Sequence, residues 1–162
     1  MELHKVEPSQ IKLEITESVV VENSDVVISI LRQLRALGIK LSMDDFGTGY
    51  SSLSYLHQLP ISTLKIDRSF ISQMTEETES AEIVRTILLL AKNLNLEVVA
   101  EGIETQTQHE VLNDLKCEFG QGYYFSKPLS VADAAEFIKN SSCEYNFVGA
   151  NDLGIHSSSI EH

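Results

Sequence analysis

Short apolar runs alternate with longer segments of helical periodicity along most of this sequence. Each run is rich in Ile, Leu and Val and ends at polar or turn-forming residues, which is typical of a buried strand. The five predicted strands are 11–16, 39–45, 63–67, 97–103 and 119–126. Because a helical segment follows each of them, the sequence predicts an α/β fold of five βα units with a mostly parallel sheet.

The helical segments carry apolar residues at three- and four-residue spacing. Ser24 and Asp25 begin the first, and Gly38 is a natural stop after it. Thr105 is the predicted N-cap of the fourth. The segments are 24–37, 51–59, 78–95, 105–116 and 131–139. The apolar stripe of the first is Val26, Val27, Ile30, Leu31, Leu34 and Leu37, and the inward positions of the third are Ile83, Val84, Ile87, Leu88, Ala91 and Leu94.

Composition narrows the class of protein. The 162 residues are 43% hydrophobic and 22% charged, which fits one soluble domain. The net charge of −12 argues against binding to DNA or RNA polymers, which requires a basic surface. No apolar run approaches a membrane span and the N-terminus lacks a signal pattern, so we expect a cytoplasmic protein without a membrane segment. Cys117 and Cys143 fit neither a disulfide framework nor a zinc site.

Polar residues gather where the predicted strands end. In parallel α/β folds the carboxyl ends of the strands meet at one edge, where chemistry is concentrated. Asp44 and Asp45 directly follow an apolar strand, and adjacent carboxylates are costly there unless a cation lies between them. A divalent metal ion that prefers oxygen ligands meets that need. The residues at this edge are Glu14, Asp44, Asp45, Lys65, Asp67, Glu101, Glu104 and Gln121.

Each of these residues has an ordinary structural alternative. Glu14 could be a solvent-facing acid, and Lys65 could extend its ammonium to water. Glu101 and Glu104 could be favourable charges at a helix N-terminus. Gln121 could satisfy backbone groups. Taken together, five successive strands that each deliver a polar group to one edge favour a functional site.

Five motifs resemble those of the EAL-domain phosphodiesterases, in the family's order and spacing, and cover residues 6–139. They are Leu-Glu-Ile-Thr-Glu-Ser at 13–18, Asp-Asp-Phe-Gly-Thr-Gly-Tyr-Ser-Ser-Leu at 44–53, Leu-Lys-Ile-Asp-Arg-Ser-Phe at 64–70, Val-Ala-Glu-Gly-Ile-Glu at 99–104 and Gly-Gln-Gly-Tyr-Tyr-Phe-Ser-Lys-Pro at 120–128. The resemblance implies a TIM-like (β/α) barrel that hydrolyses cyclic di-GMP to the linear dinucleotide pGpG.

The resemblance also implies a site with two Mg²⁺ or Mn²⁺ ions. Glu14, Asp44 and Asp45 would be metal ligands, with Asp44 bridging the two ions. Lys65 would hold the attacking water or stabilise charge on the phosphate. Glu101 would be the general base or a ligand of the second metal. Two such ions can share a phosphate and stabilise both the attacking and the leaving oxygen.

Further residues would support this site. Gln121 and Asp67 would belong to the network of substrate and water contacts. Glu17 would hold the 44–53 loop, which the family uses for metal placement and dimer coupling. Glycines in that loop would let it turn beside the metals where side chains do not fit. The supporting residues implied by the resemblance are Glu17, Glu104, Gly47 and Gly49.

The sequence departs from the family at its start. It contains no Glu-Ala-Leu tripeptide, and it lacks the early strands that carry that Glu, a phosphate-contacting Arg and a metal-binding Asn. A closed barrel needs roughly 250 residues, so we expect an incomplete barrel, with 1–139 a truncated EAL domain and 140–162 a polar tail. An open barrel edge leaves backbone groups unpaired. We therefore expect a homo-oligomer or association with a complementing barrel half.

Three interpretations remain open at this stage. The chain could carry most of a cyclic di-GMP phosphodiesterase site, with weak or absent hydrolysis when isolated. The missing Glu, Arg and Asn equally fit a catalytically inactive module that senses the nucleotide or docks a partner. A truncated gene product without an independent role is the third.

Overall fold

Five parallel strands form a single sheet in the computed structural model, which describes residues 6–22, 24–49, 56–75 and 78–140. The strands lie in the order in which they occur in the sequence. They are β1 (Lys12–Thr16), β2 (Lys40–Phe46), β3 (Thr63–Ile66), β4 (Glu97–Glu101) and β5 (Phe119–Gln121).

Six α-helices connect or follow these strands in the described ranges. They are α1 (Glu17–Glu22), α2 (Ser24–Ala36), α3 (Arg68–Ser72), α4 (Glu79–Asn93), α5 (Gln106–Asp114) and α6 (Val131–Asn140), and a short 3-10 helix, Pro8–Gln10, precedes β1. The predicted stop at Gly38 is confirmed, since its φ of 95° is the left-handed conformation that ends α2. The Thr105 cap of α5 is also confirmed, because its side chain accepts a hydrogen bond from Gln108 N.

Strictly sequential parallel strands are typical of a (β/α) barrel, because a doubly wound sheet reverses its strand order at a switch point. The fold is therefore an incomplete barrel of the predicted class. Every residue of β3 is buried, and Leu64 and Ile66 belong to the hydrophobic core. The outer strands are more exposed, with Leu13 of β1 at 37% and Phe119 of β5 at 41%.

Three predicted strands end earlier than expected. β3 stops at Ile66, because Asp67 caps α3, a helix that the sequence did not predict. β4 stops at Glu101, because Gly102 takes a φ of 74°. β5 stops at Gln121 instead of residue 126, because Phe125 N donates a hydrogen bond to Gly122 O and turns the chain away from the sheet.

Helix α2 turns only part of its predicted apolar stripe to the core, since Val27, Leu31 and Leu34 pack there. Ile28 and Leu31 are buried, whereas Val26, Ile30 and Leu37 are more than half exposed. The predicted face of α4 is confirmed, with Val84, Ile87 and Ala91 buried. Most of the predicted helix 51–59 and nearly all of the 140–162 tail lie outside the described residues. None of the helices in those described ranges has the length and apolarity needed to span a membrane.

Candidate active site

The ammonium group of Lys65 lies at the centre of a charged cluster at the carboxyl edge of the sheet. Its Nζ is 2.7 Å from Glu101 Oε1, 2.9 Å from Glu14 Oε1 and 3.0 Å from Asp44 Oδ1. These carboxylates come from β4, β1 and β2, while Lys65 comes from β3. The Lys65 side chain is only 8% exposed. One buried cation thus ties four neighbouring strands together.

These contacts hold Lys65 in its charged form. Burial alone would lower the pKa of Lys65, but hydrogen bonds to Glu101, Glu14 and Asp44 outweigh burial and raise the pKa well above its ordinary value. The group therefore cannot accept a proton near neutral pH. What it can supply is positive charge and N–H donors.

A β-bulge brings two adjacent aspartates to this edge. Met43 pairs with Leu64 and Phe46 pairs with Ile66, so β2 holds one more residue than β3 over this stretch. Within the bulge Asp45 takes a φ of 53°, a left-handed conformation that aspartate tolerates better than most residues. Successive side chains of a regular strand point to opposite faces. The bulge interrupts that alternation, so the carboxylates of Asp44 and Asp45 can lie close to each other.

Three carboxylates are close enough to share a metal ion. Oxygens of Asp44, Asp45 and Glu101 all lie within 4.8 Å of one another. An all-carboxylate donor set suits hard divalent ions such as Mg²⁺ and Mn²⁺. The donor set therefore fits the metal ions that the resemblance implies. Glu14 contacts the same Lys65 from β1 and could add a fourth oxygen donor.

Glu17 holds the loop that follows the bulge. Its carboxylate is buried, and Oε2 accepts hydrogen bonds from Gly47 N at 3.1 Å and Gly49 N at 3.3 Å. A Cβ at Gly49 would lie 2.8 Å from Glu17 Oε1, and Gly47 has a φ of 98°. The contact between Glu17 and this loop is therefore as predicted. Gly47 is favoured by its left-handed backbone, and a side chain at Gly49 would displace the Glu17 carboxylate. The functional role of the contact stays a prediction.

The loop after β4 is held from the β3 side by Arg68. Arg68 Nη2 lies 2.6 Å from Glu104 Oε1. The stem of Arg68 covers Gly102, where a Cβ would be 2.3 Å from Arg68 Cγ. Glu104, predicted as a supporting residue, thus pairs with a cation from the neighbouring strand end.

Two predicted residues lie beside the cluster. Gln121 is exposed and stands opposite Glu101 in the sheet register. Asp67 accepts hydrogen bonds from the backbone and hydroxyl of Ser69 at the start of α3. Burial would raise the pKa of Asp67, but these hydrogen bonds lower it below its ordinary value. Their predicted contacts with substrate and water stay predictions.

Sequence reasoning missed two features of this edge. Nothing in the sequence indicated that Arg68 would cover the loop after β4, beyond its position three residues after Lys65. Gly102, directly after Glu101, was a usable signal, since a glycine at a strand end often marks a backbone turn. The bulge was also missed, because two adjacent acids do not by themselves reveal which faces they occupy.

The EAL-domain model matches residues 1–128. That match covers most of the chain, and it includes all eleven residues predicted for the site. The chain belongs to the EAL-domain family.

Its relatives include proteins of cyclic di-GMP metabolism. The bifunctional diguanylate cyclase/cyclic di-GMP phosphodiesterase MucR of Pseudomonas aeruginosa is 48% identical over 126 residues, which are 78% of this chain and 18% of that protein. The cyclic di-GMP phosphodiesterase NbdA of the same organism is 48% identical over 129 residues, 80% of this chain and 16% of NbdA. The chain thus spans less than a fifth of the length of either relative.

Solved structures show the same fold. The PaMucR phosphodiesterase in complex with c-di-GMP superposes with a TM-score of 0.77 at 46% identity, covering 81% of this chain and 53% of that one. BlrP1 of Klebsiella pneumoniae, in a manganese and cy-diGMP complex, superposes with a TM-score of 0.69 at 33% identity, covering 76% and 31%.

Proposed function

We propose that this chain carries the greater part of a cyclic di-GMP phosphodiesterase site, which hydrolyses cyclic di-GMP to linear pGpG. The observation that carries the proposal is the cluster around Lys65, in which four strands contribute charged groups to one edge. The names of the relatives and the nucleotide complexes of the solved structures support the choice of substrate.

Asp44, Asp45 and Glu101 would hold divalent metal ions, with Glu14 as a further ligand, and we propose Mg²⁺ or Mn²⁺ as two bound ions. When bound, such ions stabilise negative charge on a phosphate and lower the pKa of water. The manganese complex of BlrP1 supports the choice of metal.

The chain's own residues supply the remaining chemistry. The positive charge of Lys65 would stabilise a non-bridging phosphate oxygen, where negative charge increases as water attacks phosphorus. Glu101 would accept the proton of that water as the new P–O bond forms and one P–O ester bond breaks. The leaving alkoxide oxygen would take up that proton, from Glu101 or through solvent, and become a hydroxyl, which completes the hydrolysis. Gln121, opposite Glu101, would orient the water or the substrate.

Self-association or a complementing barrel half belongs to this proposal. Among the described residues β1 and β5 each pair with one strand, and their side chains are partly exposed. An uncovered parallel edge favours pairing with another strand. We therefore expect hydrolysis by the isolated chain to be weak and to increase with protein concentration.

A second candidate function is nucleotide sensing or partner docking without hydrolysis. The exposure of Glu14, 48% in its side chain, favours it, because this ligand lies on an outer strand and is the least enclosed of the three acids that contact Lys65. A site with one loosely held ligand could bind nucleotide without turning it over.

The test is a combined assay of cyclic di-GMP binding and pGpG formation with Mn²⁺, run on the wild type and Glu101→Ala. Product from the wild type that is lost in Glu101→Ala supports the phosphodiesterase. Binding by both proteins without product favours the sensing module. Neither binding nor product, at any protein concentration, overturns both candidates.

A further inference from the structure

Arg68 makes two contacts with the loop that carries Glu101 out of the sheet. Its guanidinium pairs with Glu104 at 2.6 Å, and its stem covers Gly102. Gly102 directly follows Glu101 and has a φ of 74°, so the direction of the chain after Glu101 is set at this residue. Any other residue there would be strained by its backbone and would collide with the Arg68 stem.

The same loop is held from the β5 side. Ile103 N donates a hydrogen bond to Gln121 O at 3.1 Å, and Tyr124 N donates one to Ile103 O at 2.9 Å. A Cβ at Gly122 would lie 2.0 Å from Ile103 O. The loop is thus held between two neighbouring strand ends, and Arg68 supplies the side-chain contacts from β3.

Lys65 and Arg68 are three residues apart at the end of β3. Glu101 and Glu104 are likewise three residues apart at the end of β4. The Lys65 to Glu101 and Arg68 to Glu104 pairs therefore form two successive ties between these strand ends, at 2.7 Å and 2.6 Å. Lys65, the cation of the first pair, is nearly buried, whereas both side chains of the Arg68 to Glu104 pair are exposed to water.

We propose that Arg68 is a positioning residue, which fixes the loop 102–104 and thereby keeps the Glu101 carboxylate within reach of Asp44 and Asp45. The inference rests on the proposed function, because the role of Glu101 does. Exposed ion pairs contribute little to folding stability. The expected effect of Arg68 is therefore on the geometry of the metal site and much less on unfolding.

Two effects of removing Arg68 would change the affinity for a divalent metal in opposite directions. Taking a cation away from an acidic site tightens the binding of a divalent metal by electrostatics alone. Loss of positioning weakens it, since removing a residue that orients metal ligands typically costs about tenfold or more in metal affinity. The sign of the change therefore separates the two effects.

The experiment is a calorimetric titration of Mn²⁺ into the full chain as wild type, Arg68→Ala, Arg68→Lys and the charge swap of Arg68→Glu with Glu104→Arg. Arg85→Ala is the matched control, because Arg85 forms an exposed ion pair with Glu82 within α4, away from this edge. We expect Arg68→Ala to bind Mn²⁺ about tenfold more weakly. The lysine variant and the swap should recover most of the affinity, and the control should match the wild type.

Hydrogen exchange of the 102–104 segment is the second readout. Arg68→Ala should speed exchange at Ile103 and Glu104, whose amides are bonded to Gln121 and Gln108, while melting temperatures stay close to the wild type. Unchanged or tighter Mn²⁺ binding by Arg68→Ala, with a wild type that binds, overturns the inference and leaves the proposed function standing. A wild type that binds no Mn²⁺ overturns both.

Discussion

The middle of the sheet and its outer strands contribute charged groups to the same site but are built differently. β3 is buried throughout, and its Lys65 contacts three acids at or below 3.0 Å. β1 and β5 are partly exposed, and they carry Glu14 and Gln121. The comparison indicates that the core fixes the centre of the site, whereas its margins depend on what covers the outer strands.

Truncation of buried leucine in the middle strand should have the largest effect. Leu64 of β3 is 0% exposed, and Leu13 of the outer strand β1 is 37% exposed. We expect Leu64→Ala to lower the free energy of unfolding by about 4 kcal/mol, near the top of the range for a leucine that leaves a cavity. Leu13→Ala should cost about 1 kcal/mol, because much of its surface stays in water. Urea denaturation measures both free energies of unfolding. Equal losses in the two variants would contradict the proposed difference between β3 and the outer strands.

Removal of the central cation comes next. Lys65→Met leaves Glu14, Asp44 and Glu101 close together without their counter-ion. We expect a loss of about 3 kcal/mol in unfolding free energy, at the low end for a broken buried ion pair because the acids are partly solvated. Added Mn²⁺ should recover part of it. Lys92→Met, on the outer face of α4, is the control and should unfold like the wild type.

The same contact predicts a pH dependence at high pH. The pKa of Lys65 is higher in the folded protein than its ordinary value of 10.5. The contribution of Lys65 is therefore fully present below pH 10.5 and is lost as the pH rises toward its folded pKa. Stability curves of the wild type and Lys65→Met should converge in alkaline solution. A constant difference up to the onset of alkaline unfolding would contradict this account.

A substitution in the loop after the bulge should have a smaller effect. Gly49→Ala brings a Cβ to 2.8 Å from Glu17 Oε1, so the carboxylate must move and its hydrogen bonds to the loop weaken. We expect a cost of about 1–2 kcal/mol by chemical denaturation. Gly38→Ala is a useful comparison, since its φ of 95° is strained but its nearest neighbour would be 3.8 Å away. A Gly49→Ala protein as stable as the wild type would show that the loop yields easily.

Loss of the α3 cap should have the smallest effect. Asp67→Ala removes the acceptor of the Ser69 hydrogen bonds and should cost about 1 kcal/mol. Because the pKa of Asp67 is lowered in the folded protein, its contribution is present above its ordinary value of 3.8 and is lost as the pH falls through the folded pKa. The difference between wild type and variant should therefore shrink below pH 3.8. A difference that is constant down to acid unfolding would argue that the carboxylate charge plays no part.

Much of this fold follows from the sequence because strand and helix patterns are local. The apolar run before Asp44, the stop at Gly38 and the cap at Thr105 each depend on a few neighbouring residues, and all three were predicted correctly. The strand ends at Ile66 and Gln121 were missed. The end of β3 depends on the cap that Asp67 provides to Ser69, a local contact that an apolar run does not reveal. The end of β5 depends on the turn at Gly122 and on the hydrogen bond from Tyr124 N to Ile103 O in the neighbouring loop.

Some features of the candidate site could also be predicted from the sequence, and others could not. Which residues reach the carboxyl edge could be read from their positions at strand ends. How Asp44 and Asp45 share that edge could not, because it requires a bulge whose register is set against β3. The ties of Lys65 and Arg68 to the next strand likewise depend on tertiary packing.

The most direct test of the central claim is a Mn²⁺ titration of the wild type, Glu101→Gln and, as a control, Glu136→Gln on the exposed α6. The account predicts saturable binding by the wild type and the control, with an affinity lower by about tenfold or more in Glu101→Gln, which lacks one carboxylate of the cluster. Equal binding by all three proteins, or no binding by the wild type, would contradict a metal site assembled from these strand ends.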